Sequence, residues 1–251
     1  MESILIRSAR NIITSFIKYP NIFRMYQYAV EYFKFKRMGG RIKILYPIVS
    51  DYTSENGTNS GHYFHQDLLV ASYIYAKNPN SHLDVGSRMD GFVAHVASFR
   101  RITVLDIRSL QKSVHSNIEY IQSDATSLNS SYKKKFDSVS CLHALEHFGL
   151  GRYSDKIDPD AHIKGFKFLC DALESGGVLY LSVPVSIETR VEFNAHRVFD
   201  VNEPILWGKN NSMTLVRFDC VDDHGNLHLN CNFIHASKQR FGLGIYSFKK
   251  C

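Results

Sequence analysis

Three carboxylates and two glycines of the 251-residue chain stand where a nucleotide-binding edge would need them. The stretch Asp84-Val85-Gly86-Ser87-Arg88-Met89-Asp90-Gly91 follows a short apolar run, and its glycines let the backbone turn tightly and approach a ligand. Asp106 closes the next apolar run twenty positions after Gly86, and Asp124 follows the third run eighteen positions later. An acid at the second position accepts hydrogen bonds from both hydroxyls of a ribose, and one at the third reaches the adenine side. A dinucleotide would bring the fingerprint G-x-G-x-x-G, with a pyrophosphate on a helix N-terminus. Here the turn is G-x-x-x-x-G and is preceded by Asp84, which is unhelpful to a pyrophosphate and suits an ammonium group. The pattern implies an adenosine carrying an amino acid, S-adenosylmethionine, rather than NAD.

A second set gathers after the fourth apolar run, where Cys141-Leu142-His143-Ala144-Leu145-Glu146-His147-Phe148-Gly149 places two imidazoles and a carboxylate within five positions. Methyl transfer from an activated sulfonium asks the protein to align the acceptor and, for a hydroxyl, to remove its proton. His143 is the first candidate base and His196 the second, with Glu146 as a supporting group. The spacing is not H-E-x-x-H, and no metal is expected. Arg152, Tyr153, Arg190, Asn194 and Arg197 lie in the loops that read a substrate in such an arrangement, and arginine forks there favour an anionic acceptor. For an acceptor oxygen already ionised, no base is needed and the arginines matter more. His224, His228 and His235 receive no ligand role.

These residues need elements to hold them. Apolar runs at His82–Val85, Ile102–Leu105, Ile118–Ile121, Phe136–Cys141 and Val178–Val183 alternate with helical patterns at Tyr63–Lys77, Phe92–Ser98 and Ile163–Leu173. Strands alternating with helices imply a doubly wound, mostly parallel α/β sheet. Met213–Val221, Leu227–Ile234 and Ile245–Lys249 read as strands joined by turns, so the sheet is expected to finish antiparallel. Ahead of this body, predicted as residues 51–251, lies a helical extension over residues 1–50. Its two helical patterns are separated at Tyr19-Pro20, and Gly39-Gly40 is a plausible C-cap to the second.

Net charge is +6, with 30 Lys and Arg against 24 Asp and Glu. Nine of the basic and two of the acidic residues fall before residue 44, so the extension carries +7 and the body −1. No broad basic face remains to follow a nucleic-acid backbone, which disfavours a nucleic-acid substrate. The extension suits peripheral contact with a membrane through residues 1–43, or packing on its own domain. Five widely spaced cysteines without a Cys-x-x-Cys pair read as free thiols of a reducing compartment, and the chain is expected to be cytoplasmic.

HLDVGSRMDGF, VLDIR, IQSDA, DSVSCLHALEHFGLGRY and GGVLYLSVPV, in this order, resemble the successive motifs of Rossmann-like S-adenosylmethionine-dependent methyltransferases. From YFHQDLLVA through FNAHRVFD the chain is similar to a bacterial methyltransferase-like family of unassigned function, some members of which occur in surface-polysaccharide gene clusters. The resemblance covers roughly Tyr63 to Asp223. It implies the fold, the cofactor and its contacts: Asp84, Gly86, Ser87, Arg88 and Gly91 around the methionine moiety, Asp106 and Ile107 on the ribose, Asp124 and Ala125 near the adenine. His143 would border the methyl group. The activity it implies is methylation, most simply O-methylation, of a small or saccharide-linked acceptor. Two other readings stand beside it: a nicotinamide-dependent sugar oxidoreductase, which lacks its glycine fingerprint, and a non-catalytic cofactor-binding scaffold at a membrane surface.

Overall fold

The computed structural model describes residues 4–18, 21–54, 56–111, 113–127 and 132–251. The chain divides into two compact units, Met1–Thr58 and Asn59–Cys251. In the first, α1 (Ile4–Lys18) and α2 (Ile22–Arg37) follow the two helical patterns, while the expected stop at Tyr19-Pro20 lies outside the described residues. Asn21 caps α2 by accepting from the Arg24 backbone N–H, and Lys34, Lys36 and Arg37 place cations at its C-terminal end, where the helix dipole favours them. Residues 51–53 belong with these helices and not with the body, because Arg24 Nη2 donates to Thr53 Oγ1 at 2.6 Å and the Tyr52 hydroxyl donates to Glu31 at 2.5 Å. The first unit runs on through them to Thr58. No helix among the described residues is long and apolar enough to cross a membrane.

The second unit opens with α3 (His62–Lys77) and then builds a sheet. β1 (His82–Val85), β2 (Ile102–Asp106), β3 (Ile118–Gln122), β4 (Phe136–Leu142) and β5 (Leu173–Ser186) run parallel, in the order β3-β2-β1-β4-β5. A π-helical turn, Met89–Val93, leads into the single α-turn α4 (Ala94–Ala97), so the helix after β1 starts earlier and ends sooner than its apolar spacing suggests. After β5 come a hairpin, β6 (Arg190–Glu192) and β7 (His196–Asp200), and a helix, α6 (Glu203–Asn210), which follows α5 (Ala161–Ala172) in chain order. β8 (Met213–Val221) and β9 (Leu227–His228) extend the sheet, α7 (Phe233–Ser237) follows, and β10 (Gly242–Lys250) lies antiparallel between β5 and β8.

Side chains alternate across the sheet and sort into two apolar clusters. Leu179, Leu181, Val183, Tyr246 and Phe248 join Phe166, Phe199 and Trp207, whereas Val178, Tyr180, Leu243 and Ile245 join Val70, Ile74 and Phe92. Each fully buried Leu, Ile, Val or Phe contributes about 1.5–3 kcal/mol of transfer free energy. This rigid sheet holds the carboxyl ends of β1 to β5 in register.

Two expectations for the tail are corrected. The strand predicted over Leu227–Ile234 stops at His228, because Asn230 turns through a left-handed φ of 48° and the Asn232 side chain caps α7 by accepting from Ile234 N at 2.8 Å. The cysteines are not all free: Cys220 and Cys231 form a disulfide with their Cα atoms 5.8 Å apart, while Cys141, Cys170 and Cys251 are thiols. The eleven residues of separation hid this pair in the sequence, since only the turn after β8 brings β9 and its flank back alongside.

Candidate active site

The strand ends of β1, β2, β3 and β4 border a cavity of about 270 Å³. Its walls include Gly86, Arg88, Asp106, Ile107, Asp124 and Ala125 on one side and Tyr63, His143, His147, Arg152, Tyr153 and Lys156 on the other. Gly86 has φ 77°, and a Cβ there would stand 2.9 Å from the Ala144 Cβ, so the turn after β1 passes close to the turn after β4 only as glycine. Asp124 accepts at Oδ1 from the backbone N–H and the hydroxyl of Thr126, at 2.8 and 2.7 Å, which fixes the loop after β3.

Asp106 is already engaged. Its Oδ1 accepts from the Arg108 backbone N–H at 2.8 Å and from Nε at 2.9 Å, and the Arg108 fork also closes on Oδ2. The Arg108 guanidinium lies over the Tyr153 ring, 4.9 Å from its centroid. Sequence reasoning passed over Arg108, although it stands in the quoted VLDIR motif two positions after the acid.

Three cofactor candidates do not face the cavity. Asp84 is fully buried beneath the turn, accepting from Ser87 N at 3.1 Å, Ser87 Oγ at 2.6 Å and Ser140 Oγ at 2.6 Å. Burial pushes its carboxyl up to about 6 in spite of these hydrogen bonds. Ser87 is spent on the same bracing, since its hydroxyl also accepts from Leu142 N. Gly91 faces α3, where a Cβ would meet Asp67 Oδ2 at 2.3 Å. These residues shape the turn from behind, because a β1 strand buried along its whole length points its acid into the sheet's interior.

On the opposite wall, His143 follows β4 with φ 53°, a left-handed conformation uncommon for a residue with a Cβ. It is held there by its backbone N–H, which bonds to both the carbonyl and the hydroxyl of Ser182 at 3.0 Å. His143 Nδ1 makes a close hydrogen bond to Glu146 Oε1, and Nε2 stands 3.3 Å from His62 Nδ1. Because a carboxylate only accepts, Nδ1 carries the proton and Nε2 is the nitrogen left to receive one. Glu146 is fully buried, and its Oε2 has no hydrogen-bond partner among the described residues. Burial alone would raise its pKa, but His143 and His147 hold it below the ordinary value. His62 is lowered to about 4 by burial and by His143, so it stays neutral near pH 7. Tyr63 stacks on His143 with centroids 4.9 Å apart. The residues lie on a strand end and a 3-10 turn, Leu145–His147, not on the helix that an i,i+4 histidine pair would imply.

The remaining candidates separate. Arg152 reaches the cavity wall, donating to the Ala195 carbonyl at 2.8 Å, with Tyr153 beside it. Arg197 does not: it is buried and donates to the carbonyls of Glu146, Phe148 and Pro159 at 3.3, 2.6 and 3.2 Å, bracing the loop that carries the dyad. Arg190 is taken up by Glu192, Ser186 and the Arg240 carbonyl. Asn194 sits exposed at the tip of the β6-β7 hairpin. His196, at the start of β7, lies 3.0 Å from Glu192 and packs on Phe241 rather than lining the cavity. The hairpin turns all three away from the strand ends.

This is a Rossmann-like α/β fold with an antiparallel strand near its far edge, and solved structures share it. A 1,6-didemethyltoxoflavin-N1-methyltransferase from Burkholderia thailandensis, with 1,6-didemethyltoxoflavin and S-adenosylhomocysteine bound, matches at TM-score 0.55 and 17% identity over 74% of this chain and 78% of that one. An S-adenosylmethionine-dependent methyltransferase from Clostridium acetobutylicum matches at TM-score 0.51 and 15% identity over 75% and 92%. The cyclase SpnF matches at TM-score 0.53 and 13% identity over 73% and 81%, so the fold itself does not name a reaction. Residues 93–207 match a family described as Caenorhabditis protein of unknown function, DUF268. No curated protein matches the sequence.

Proposed function

We propose that the chain is an S-adenosylmethionine-dependent methyltransferase acting on a hydroxyl of a small or saccharide-linked acceptor, at the cytoplasmic face of a membrane, in surface-glycan synthesis. The observation that carries the reading is the buried His143–Glu146 dyad at the end of β4, across one cavity from Gly86, Asp106 and Asp124. The donor set suits that cofactor: the Gly86 backbone lines the cavity where its methionine end would lie, Asp106 could take the ribose hydroxyls once Arg108 yields, and Asp124 with Ala125 would border the adenine. The bound cofactor supplies an activated methyl group. His143 Nε2 takes the acceptor proton, and Glu146 stabilises the resulting imidazolium through Nδ1. Arg152 and Lys156 give this wall positive charge, which favours an acceptor bearing phosphate or carboxylate.

The test is transfer of labelled methyl from the cofactor into a fractionated lysate, followed by identification of the product. His143→Ala is expected to lose about 100-fold or more in turnover, within the range of general-base contributions, while S-adenosylhomocysteine binding by calorimetry stays within a few-fold. Binding of NAD in place of S-adenosylhomocysteine, or cofactor binding with no labelled product, would sink the reading.

A further inference from the structure

We infer that Asp222, His228 and His235 form a site for a divalent transition-metal ion, apart from the methyl-transfer cavity. The three side chains come from the turn after β8, from β9 and from α7, and one ligand atom of each lies within 4.8 Å of the others. Asp222 is preoriented: Oδ1 accepts from His224 N and Asn226 N, both at 2.9 Å, and Oδ2 accepts from Asn226 Nδ2 at 3.3 Å and faces His228 Nε2 at 2.8 Å. The register that pairs Cys220 with His228 fixes one imidazole over the end of β8. The Cys220–Cys231 disulfide and the Asn232 cap fix the start of α7, which brings the His235 ring to 4.5 Å from that of His228 at a 52° tilt. Two imidazoles and one carboxylate on a half-open surface match zinc and its neighbours in affinity and leave positions for water, whereas calcium or magnesium would call for more oxygen ligands.

The ion ties α7 to the β8-β9 turn, and Asp223 of the same turn holds the segment between α7 and β10, accepting from Arg240 N and Phe241 N at 2.8 Å each. Phe241 in turn stacks on His62, the neighbour of His143. The site is thus a structural clamp on the segment that backs the catalytic dyad.

The experiment titrates the full-length, disulfide-bonded protein with zinc chloride by calorimetry, and measures retained zinc after gel filtration and the absorption of the cobalt form. One equivalent is expected in wild type. His235→Ala, at an exposed position, is expected to melt like wild type without metal and to weaken zinc by at least about tenfold, the loss that even supporting partners of a metal ligand cause. His224→Ala, on the same turn but outside the triad, is expected to bind as wild type. Zinc should raise the melting temperature of wild type and not of His235→Ala. Absence of an equivalent in wild type overturns the proposal, as does full binding in His235→Ala. Loss in His147→Ala but not in His235→Ala would place the ion at the catalytic cluster and also overturn it.

Discussion

Arg108 holds the Asp106 carboxylate with its own backbone N–H and its guanidinium, so any ligand whose hydroxyls use that acid competes with a neighbour two residues away. A partly exposed ion pair is worth about 1 kcal/mol or less, and Arg108→Ala is expected to tighten S-adenosylhomocysteine about two- to fivefold. Asp106→Asn removes charge-assisted hydrogen bonds worth about 1.5–3 kcal/mol and should weaken it roughly ten- to hundredfold. Calorimetry on both variants checks this, and weaker binding in Arg108→Ala would show that the arginine itself holds the ligand. The two arginines of the acceptor side should separate as well. Arg197→Ala strands buried carbonyls at a cost of about 1–3 kcal/mol each, and its signature is a melting temperature lowered by several degrees. Arg152→Ala should melt like wild type and raise KM for an anionic acceptor. Sequence spacing made these two look alike, because residue type reports a cation and not whether its fork points at solvent space or at three main-chain carbonyls.

β1 and β4 illustrate how much of an element its sequence declares. Runs such as Leu83-Asp84-Val85 and Val139-Ser140-Cys141 were legible as buried strands, and the acid at the end of β2 was legible by spacing alone. Short elements were not: β6, β7 and α6 follow from the hairpin and from Pro204 at a helix start, signals weaker than a long apolar period. Buried and half-buried histidines in β1, α3 and α5 give the protein an acid sensitivity. His82 in β1, held between the hydroxyls of Ser138 and Ser140, is lowered by burial to about 3, and His62 and His162 are lowered to about 4. Below their ordinary value of 6.5 these groups bind protons in the unfolded chain before the folded one, so they cost stability as pH falls from 6.5 towards 4. Asp84, raised to about 6, has the opposite sign between its ordinary value and 6 and offsets one of them. Those four groups together give a slope of about two protons, near 1.4 kcal/mol per pH unit for each. Melting temperature measured from pH 6.5 down to 4.5 should fall, and fall less steeply in His162→Phe, whose ring keeps the packing on Phe199 and Trp207. An unchanged slope in that variant would refute the assignment.

Over the whole molecule, the charge that makes the chain basic is confined to the first unit, where Leu5, Ile13 and Ile17 of α1 are 82%, 58% and 74% exposed. An apolar helical face with basic flanks suits an anionic lipid surface. Ile13→Glu with Ile17→Glu in the full chain is expected to lower sedimentation with anionic vesicles at least about tenfold, given 1.5–3 kcal/mol for each buried isoleucine, and to leave S-adenosylhomocysteine binding intact. Unaltered vesicle binding would end the membrane reading.

The position of β10 has its own consequence. The strand between β5 and β8 is the last of the ten described strands to be synthesised, more than fifty residues after β5. Until it arrives, β5 presents an open, apolar edge of the kind that pairs with other chains. A nascent chain with that edge unfilled is expected to bind a holding chaperone through the interval, and yield on overexpression should depend on how long elongation keeps the gap unfilled.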